Sequence, residues 1–497
     1  SEKLPLHKAI LDMVVNKHPN PIEAQKYRLP KIWRGDVDSK IGQAMVDCKD
    51  DGPIVMCITS AQMDPHAGLV ATGRVFSGKL TEGKQIYLVN AKKGYRVQQV
   101  SMYMGAFREV VDGIAAGNIA ALLGLDLARA GETMVSRKYK DNMTPFERIQ
   151  YVSEPVVTIA VEPKYPRELP RLVDAMKRLS IEDPNLVTTI NKETGEYLLS
   201  GMGELHLEIA VKSLRQYGGG LDLETSRPIV VYRESVAAKG QETMAKSPNK
   251  HNKFWIEVEP LSEEVLKLID EGEIDQLMSR TQIGDVLYEE AGWPTEEARN
   301  VYALEGHKNI IVNRTKGIQY LREIRDMIIS GFRWACEAGP LCQEPFRGLK
   351  INLTDVRLHE DPVHRGPAQV MPAIRRGIYA SYLTANPILL EPMYQVNVSV
   401  PAQWVGEATG VITSKRGRIL SSEQKGALTK ISGYIPVSET FGLSGEMRSA
   451  TSGHAFWQCA FDHWEKVPDS IATEVIKEIR ERRGLSKEVP SPSRYLD

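Results

Sequence analysis

Leu199-Ser200-Gly201-Met202-Gly203-Glu204-Leu205-His206-Leu207-Glu208-Ile209 marks a change of period in the chain. Glu196 to Ser200 alternates as a strand. From Glu204 to Tyr217, Leu205, Ile209, the Lys212 stem and Leu214 recur on one side, which predicts a helix. Upstream, Val156 to Val161 reads as a strand. Arg167 to Leu179 reads as a helix with Leu169, Leu172, Val173, Met176 and Leu179 on one face. Leu186 to Ile190 pairs with Glu196 to Ser200 around Lys192-Glu193-Thr194-Gly195, and Leu221 to Glu224 closes the set. The order βαββαβ is the split βαβ, or ferredoxin-like, unit. Within it, Glu204 suits the first helical turn, where the dipole favours an acid. His206, between Leu205 and Leu207, suits a packed or solvent-facing place better than catalysis.

The same order recurs near the C-terminus. Tyr394 to Val400 is a strand, Trp404 to Ser414 a helix, and Arg418 to Ser421 with Thr429 to Ile435 a hairpin. Leu443 to Ser449 is a short helix and His454 to Phe461 the last strand, with Trp404, Trp457, Trp464 and Cys459 serving that module's core and edge. Residues 21 to 140 read as short strands with glycine turns, the run Gly68 to Gly83 suiting hairpins of a closed barrel. Two amphipathic helices flank these parts: one near the start, with Leu6, Ile10, Met13 and Val14, and Ser470 to Arg483 at the end, which must pack on a neighbour. The fold class is multidomain α+β: a β-barrel, two ferredoxin-like modules and a mixed α/β domain bearing tip loops.

Bulk composition narrows the function. The 497 residues are 42% hydrophobic and 26% charged, an ordinary globular balance over several domains. With a formal net charge of −1, any nucleic-acid contact must come from local basic patches. Five cysteines form no C-x-x-C pair, which suits reduced thiols in the cytoplasm. No apolar run is long enough for a bilayer, and no signal peptide is visible.

The most exposed chemistry lies in Leu358-His359-Glu360-Asp361-Pro362-Val363-His364-Arg365-Gly366-Pro367-Ala368-Gln369. A strand-like run, Leu349 to Leu358, ends there, and a helical pattern, Ala373 to Thr384, follows, with Arg375 and Arg376 close behind. Loops on rigid scaffolds are where binding residues concentrate. A metalloprotease reading fails: its motif needs histidines four apart on one helix, whereas His359 and His364 are five apart with Pro362 between them. No metal is expected. A second basic loop runs Lys246-Ser247-Pro248-Asn249-Lys250-His251-Asn252-Lys253, which a solvated hairpin tip would also explain. No G-x-x-x-x-G-K-[ST] phosphate loop, G-x-S-x-G elbow or paired-carboxylate cleft occurs, so no catalytic residue is expected in this chain.

Four stretches, in order, carry a resemblance that covers essentially the whole chain: Leu199 to Ile209, Lys246 to Lys253, Val363 to Gln369, and Phe456-Trp457-Gln458-Cys459-Ala460-Phe461-Asp462-His463-Trp464. The chain resembles the ribosomal translocases of the elongation factor 2 family, and the Gly366-Pro367-Ala368 spacing looks archaeal. The resemblance implies a division into a helix remnant of the GTPase domain (1–20), barrel domain II (21–145), domain III (150–227), domain IV (228–388 with 466–497) and domain V (389–465). It implies hinges near Ser153 and Glu391, and an N-terminal GTPase domain, with its GTP and Mg, that these residues do not include. This chain would thus hold no cofactor.

The resemblance also implies that domain IV enters the decoding region and that His364 is the histidine converted to diphthamide. That change would turn an imidazole into a long, permanently cationic arm with amide donors, suited to the shallow minor groove of a codon–anticodon helix. Arg365 would attract phosphate, and Lys246, Lys250, His251 and Lys253 would touch RNA. Arg375 and Arg376 would brace the tip or cover helix surface. The implied partners are the ribosome, tRNA, mRNA and the diphthamide-synthesis enzymes, with no membrane and a monomeric state. The alternatives are a stand-alone ribosome-binding paralogue without GTPase activity and a fragment that serves as a diphthamide-synthesis substrate.

Overall fold

The computed structural model describes every residue except 1–5, 65–66, 106, 148–154, 191–196, 276–277, 307 and 497. It divides into two units, Ser1–Pro228 and Ile229–Asp497. The turn at Lys192 to Gly195 and the hinge near Ser153 lie outside the described residues.

Local capping corrects the expectation of strands from residue 21. Asn20 accepts the Glu23 N–H at 3.0 Å and Pro21 occupies the first helical position, which starts the helix Pro21–Ile32. Ser39 accepts the Gly42 N–H at 3.0 Å and starts the helix Lys40–Val46. The first strand is therefore Val55–Asp64. The helix Leu6–Lys17 is exposed along its whole length, Leu6 at 72%.

An eight-stranded antiparallel sheet follows, in the spatial order Lys93–Arg96, Gln85–Leu88, Thr133–Ser136, Val55–Asp64, Gly68–Ser77, Ile119–Leu123, Gln99–Met104, Phe107–Val110. Ile86 and Leu88, toward one end of that order, share a core with Val100, toward the other, and with Met56, Ile58 and Leu122 between them. Strands so far apart in the order meet in one core only when the sheet curls on itself, as in a barrel-type domain.

The split βαβ unit takes the spatial order Val187–Ile190, Tyr197–Gly201, Val157–Pro163, Leu223–Thr225. Its helices, Leu169–Glu182 and Glu204–Tyr217, bury Leu172, Met176, Leu179, Leu207 and Leu214. Glu204 occupies the first turn. His206 ties helix to strand end: its Nδ1 accepts the Met202 N–H at 3.1 Å while Nε2 lies 2.8 Å from Asp183 Oδ2. A ring whose Nδ1 accepts must carry its proton on Nε2, so His206 donates to Asp183.

The C-terminal module repeats this plan. Phe456–Lys466 and Leu428–Pro436 flank the long strand Pro387–Pro401, and Arg418–Lys425 lies outermost. Its helices are Val405–Ser414 and Leu443–Ala450. Trp404, Trp457, Trp464 and Cys459 are half-buried and form no full core. Trp464 instead lies under the guanidiniums of Arg233 and Arg347, at 4.9 and 5.5 Å from its centroid. Glu391 is no hinge: it sits inside the long strand, 3% exposed, and its two oxygens each accept from Arg416 at 2.8 Å. A buried fork-to-fork pair rigidifies a strand.

In the sequence between these modules, a five-stranded sheet runs Thr243–Lys246, Lys253–Pro260, Leu349–Arg357, Asn309–Asn313, Val301–Glu305, with one parallel pair, Asn309–Asn313 against Leu349–Arg357. The helices Leu321–Glu337 and Pro367–Thr384 pack together over it, burying Ile328, Phe332, Ile374 and Ile378. The second helix starts before Ala373, because Pro367 suits a first helical position and the chain enters it extended at Gly366. Close approach of the two helices depends on Gly331, where a Cβ would lie 2.9 Å from Met371 O and 3.0 Å from Ile374 Cβ. Gly331→Val is expected to cost about 1–3 kcal/mol by overpacking, read from urea unfolding; an unchanged midpoint would show that the helices separate freely. The tail helix Asp469–Arg482 packs back as expected, with Arg480 donating to Leu341 O at 2.6 Å and Arg483 paired with Glu344.

Candidate functional site: a three-imidazole tip

Two loops leave the same end of the five-stranded sheet. The first links Thr243–Lys246 to Lys253–Pro260; the second follows Leu349–Arg357 and runs through a 3-10 turn, Pro362–Arg365, into the helix Pro367–Thr384. Strand register brings them together, with Lys246 opposite Lys253 and Lys253 opposite Arg357.

Two asparagines lock the loops. Asn249 Nδ2 and Asn252 Nδ2 both donate to the His364 carbonyl at 2.8 Å. Asn252 Oδ1 accepts the His359 N–H at 3.0 Å, and the Asn249 N–H donates to Gln369 Oε1 at 2.9 Å. Asn252 is fully buried, so its bonds hold the junction in a dry setting. Lys250 carries the tight turn in the left-handed region, φ 64°. Asn252→Ala leaves the His359 N–H without its acceptor and the His364 carbonyl with one donor fewer. It is expected to cost about 2 kcal/mol and to raise hydrogen exchange at His359 selectively. Unaltered exchange there would remove Asn252 from this role.

The lock gathers three imidazoles. Ring centroids lie 4.8 Å apart for His251 and His364, 4.6 Å for His359 and His364, and 4.9 Å for His251 and His359. His359 Nδ1 accepts the Asp361 N–H at 3.1 Å. Among the described residues no group of three His, Cys, Asp or Glu side chains is arranged to hold a metal. His364 is half-buried beside Val363, which is 81% exposed.

The expected tip residues fall into two groups. Lys250 and His251 are exposed, Lys246 and Lys253 half-buried, and among the described residues none of the three lysines has a carboxylate partner. Like charges facing each other across a ladder repel, so Lys246, Lys253 and Arg357 leave an unneutralised positive edge that attracts anions. The N-terminus of the helix Pro367–Thr384 adds its partial positive charge there. Arg365 is a correction: it is 4% exposed and does not face outward. Its Nη1 donates to His359 O at 2.9 Å and Glu360 O at 3.0 Å, its Nη2 to Glu323 Oε2 at 2.7 Å, and its guanidinium lies 4.1 Å from the Tyr320 ring centre. A guanidinium so placed holds the loop, and its burial keeps it from phosphate. Arg375 and Arg376 lie further along the helix, around a separate cleft with Trp334.

Sequence reasoning missed Arg357, Asn249, Asn252 and the place of His359 in the ring cluster. Alternation along Leu349–Arg357 signals an exposed Arg357 at the strand end; nothing local signals the asparagine lock, whose partners lie 115 and 112 residues away.

A barrel-type sheet, a split βαβ module, a mixed sheet with a double-loop tip and a second split βαβ module together define a translation factor of the translocase class. Family models agree: Elongation factor Tu domain 2 at residues 68–135, Elongation Factor G domain III at 152–225, Elongation factor G domain IV at 274–386, and the Elongation factor G C-terminus at 388–475. Elongation factor 2 of Staphylothermus marinus is 55% identical over 492 residues, covering 99% of this chain and 67% of that protein. Elongation factor 2 of Sulfurisphaera tokodaii is 53% identical over 497 residues, covering 100% and 67%. That of Metallosphaera sedula is 50% identical over 496 residues, covering 100% and 67%. The chain belongs to the elongation factor 2 family, the ribosome-binding translocation factors. It spans about two thirds of the length of these relatives. The family is one of translational GTPases. No helix among the described residues is long and apolar enough to cross a membrane.

Proposed function

We propose that the paired loops at Lys246–Lys253 and Leu358–Gly366 form the end of the molecule that contacts RNA in the decoding region, with His364 as the residue converted to diphthamide. The observation that carries this reading is the double asparagine clamp on the His364 carbonyl. It immobilises the backbone while leaving the ring among two other imidazoles and a set of cations without acidic partners among the described residues. A modified, permanently cationic arm on a fixed backbone is pre-organised for the phosphates and 2′-hydroxyls of an A-form helix. Mass spectrometry of the peptide spanning His364, from protein purified from its native host, is expected to show the diphthamide increment on that residue. An unmodified peptide removes the modification and leaves the fold assignment standing.

Lys246, Lys250, His251, Lys253 and Arg357 supply the phosphate contacts in this reading, and Arg365 positions the loop. The double variant Lys246→Ala, Lys253→Ala is expected to weaken ribosome binding and to reduce the slope of log affinity against log salt by about 1–2. An unchanged slope excludes these lysines.

These 497 residues contain no P-loop, so no residues here can cradle nucleotide phosphates in that manner, and this chain by itself is proposed to have no GTPase activity. GTP and Mg belong to the family's chemistry. The exposed position of the second loop also fits a chain acting as a substrate of the diphthamide-synthesis enzymes, since Val363 and Pro362 leave one side of His364 approachable. We propose the cytoplasm as the site of action, as ribosome binding requires.

A further inference from the structure

A cleft of about 400 Å³ opens among the end of Leu321–Glu337, the middle of Pro367–Thr384 and the last residues of the chain. Its lining combines four arginines, Arg375, Arg376, Arg480 and Arg494, with Trp334, Tyr379 and Tyr495, and among the described residues includes no carboxylate.

The four guanidiniums play different parts. Arg480 is 4% exposed and is spent on the carbonyls of Leu341, Ser486 and Glu488, at 2.6, 2.5 and 2.7 Å. Those bonds satisfy its donors and leave its charge in place beneath the cleft floor. Arg375 donates to Tyr379 Oη at 2.8 Å and lies 4.1 Å from the Trp334 ring centre, again with no carboxylate. Arg376 is half-buried and Arg494 exposed; among the described residues neither has an ion-pair partner. Two guanidinium forks thus stand free above two that are held fixed. Trp334 is 38% exposed, and Tyr495 stands edge-on to Tyr379 at 5.4 Å, which gives flat apolar walls beside the cations.

We propose that this cleft binds a nucleotide, its phosphate taken by Arg376 and Arg494 and its base laid against Trp334 and Tyr495. Guanidinium forks match phosphate oxygens two at a time, and every base has a face that stacks on an aromatic side chain. The volume fits one nucleotide unit and excludes a duplex. The same chemistry is offered by an extruded nucleotide of an RNA strand and by a free nucleoside monophosphate. The site is separate from the tip and requires no modification of His364.

The test uses the whole 497-residue chain, titrated with adenosine 5′-monophosphate, inorganic phosphate, a six-nucleotide adenylate RNA and hexaglutamate, followed by tryptophan fluorescence and calorimetry. Adenosine monophosphate is expected to quench Trp334 with half-saturation below about 1 mM. The signal should vanish in Trp334→Phe, and affinity should fall by about tenfold or more in Arg376→Ala with Arg494→Ala. Arg376 is half-buried and Arg494 exposed, and an unaltered melting temperature certifies the fold of that variant. Tighter binding of the RNA than of the monophosphate identifies a strand as the source, and equal binding identifies the free nucleotide. Phosphate binding as tightly as the nucleotide overturns the stacking half of the proposal. Hexaglutamate binding more tightly, or no saturable binding of any probe, overturns the whole.

Discussion

Glu234→Ala is expected to destabilise the unit Ile229–Asp497 by about 3–5 kcal/mol, the largest effect of any single polar substitution in it. Glu234 is fully buried, and its carboxylate gathers three backbone donors: Leu341 N–H at 3.0 Å on one oxygen, Cys342 N–H at 2.7 Å and Glu344 N–H at 3.1 Å on the other. Its own backbone joins the same segment, accepting from Arg347 N–H at 2.9 Å and donating to Pro345 O at 2.9 Å. The side chain thus replaces a strand partner for a loop that has none. Alanine would leave three donors buried without acceptors. Equilibrium urea unfolding measures the loss, and a change under about 1 kcal/mol would mean that water replaces the carboxylate.

The same residue gives the unit a pH dependence of definite sign. Burial pushes the Glu234 carboxyl up to about 7 from its ordinary 4.5, and the three backbone donors only partly offset this. Between those values the unfolded chain has released the proton while the folded protein keeps it. Stability therefore falls as pH rises from about 4.5 to about 7, by on the order of 3 kcal/mol, and levels off above. Glu234→Gln cannot titrate, so the difference between wild type and variant should shrink or reverse across that window. A constant difference from pH 5 to 7.5 would show that the carboxylate is ionised throughout.

Arg365→Ala is the second large effect, expected at about 2–4 kcal/mol together with loss of order in residues 359–366. The partner Glu323 is half exposed, so solvent screens much of that ion pair. The larger contribution comes from the bonds to the His359 and Glu360 carbonyls and from packing over Tyr320. Arg365→Lys should fail to restore the loop, since an ammonium on a flexible stem cannot span both carbonyls and the carboxylate as a planar fork does. Thermal unfolding and hydrogen exchange read the two parts separately. Full protection of His364 N–H in the alanine variant would return Arg365 to a surface role.

Arg365 also shows where sequence reading stops. An arginine beside a tip histidine reads as a phosphate contact, because nothing near it in the chain marks Tyr320 and Glu323 as its surroundings. The asparagines of the first loop pose the same difficulty: their partners depend on a strand register that pairs Lys253 with Arg357. Shorter-range errors have local causes. Pro21–Ile32 and Lys40–Val46 are helices because Asn20 and Ser39 cap them, a local signal that the glycine turns downstream obscure.

By itself the sequence determined the two βαββαβ modules, the tail helix and the exposed loop at His364. Each depends on periodicity, caps and turn residues whose physics acts within a few positions. Tertiary structure alone decided which polar groups face outward and which are spent inside. It turned Arg365 inward, set His251, His359 and His364 ring to ring, and among the described residues left Arg376 and Arg494 without acids. Those outcomes follow from sheet register and helix packing between segments more than a hundred residues apart, where desolvation and hydrogen-bond matching leave no local pattern in the chain.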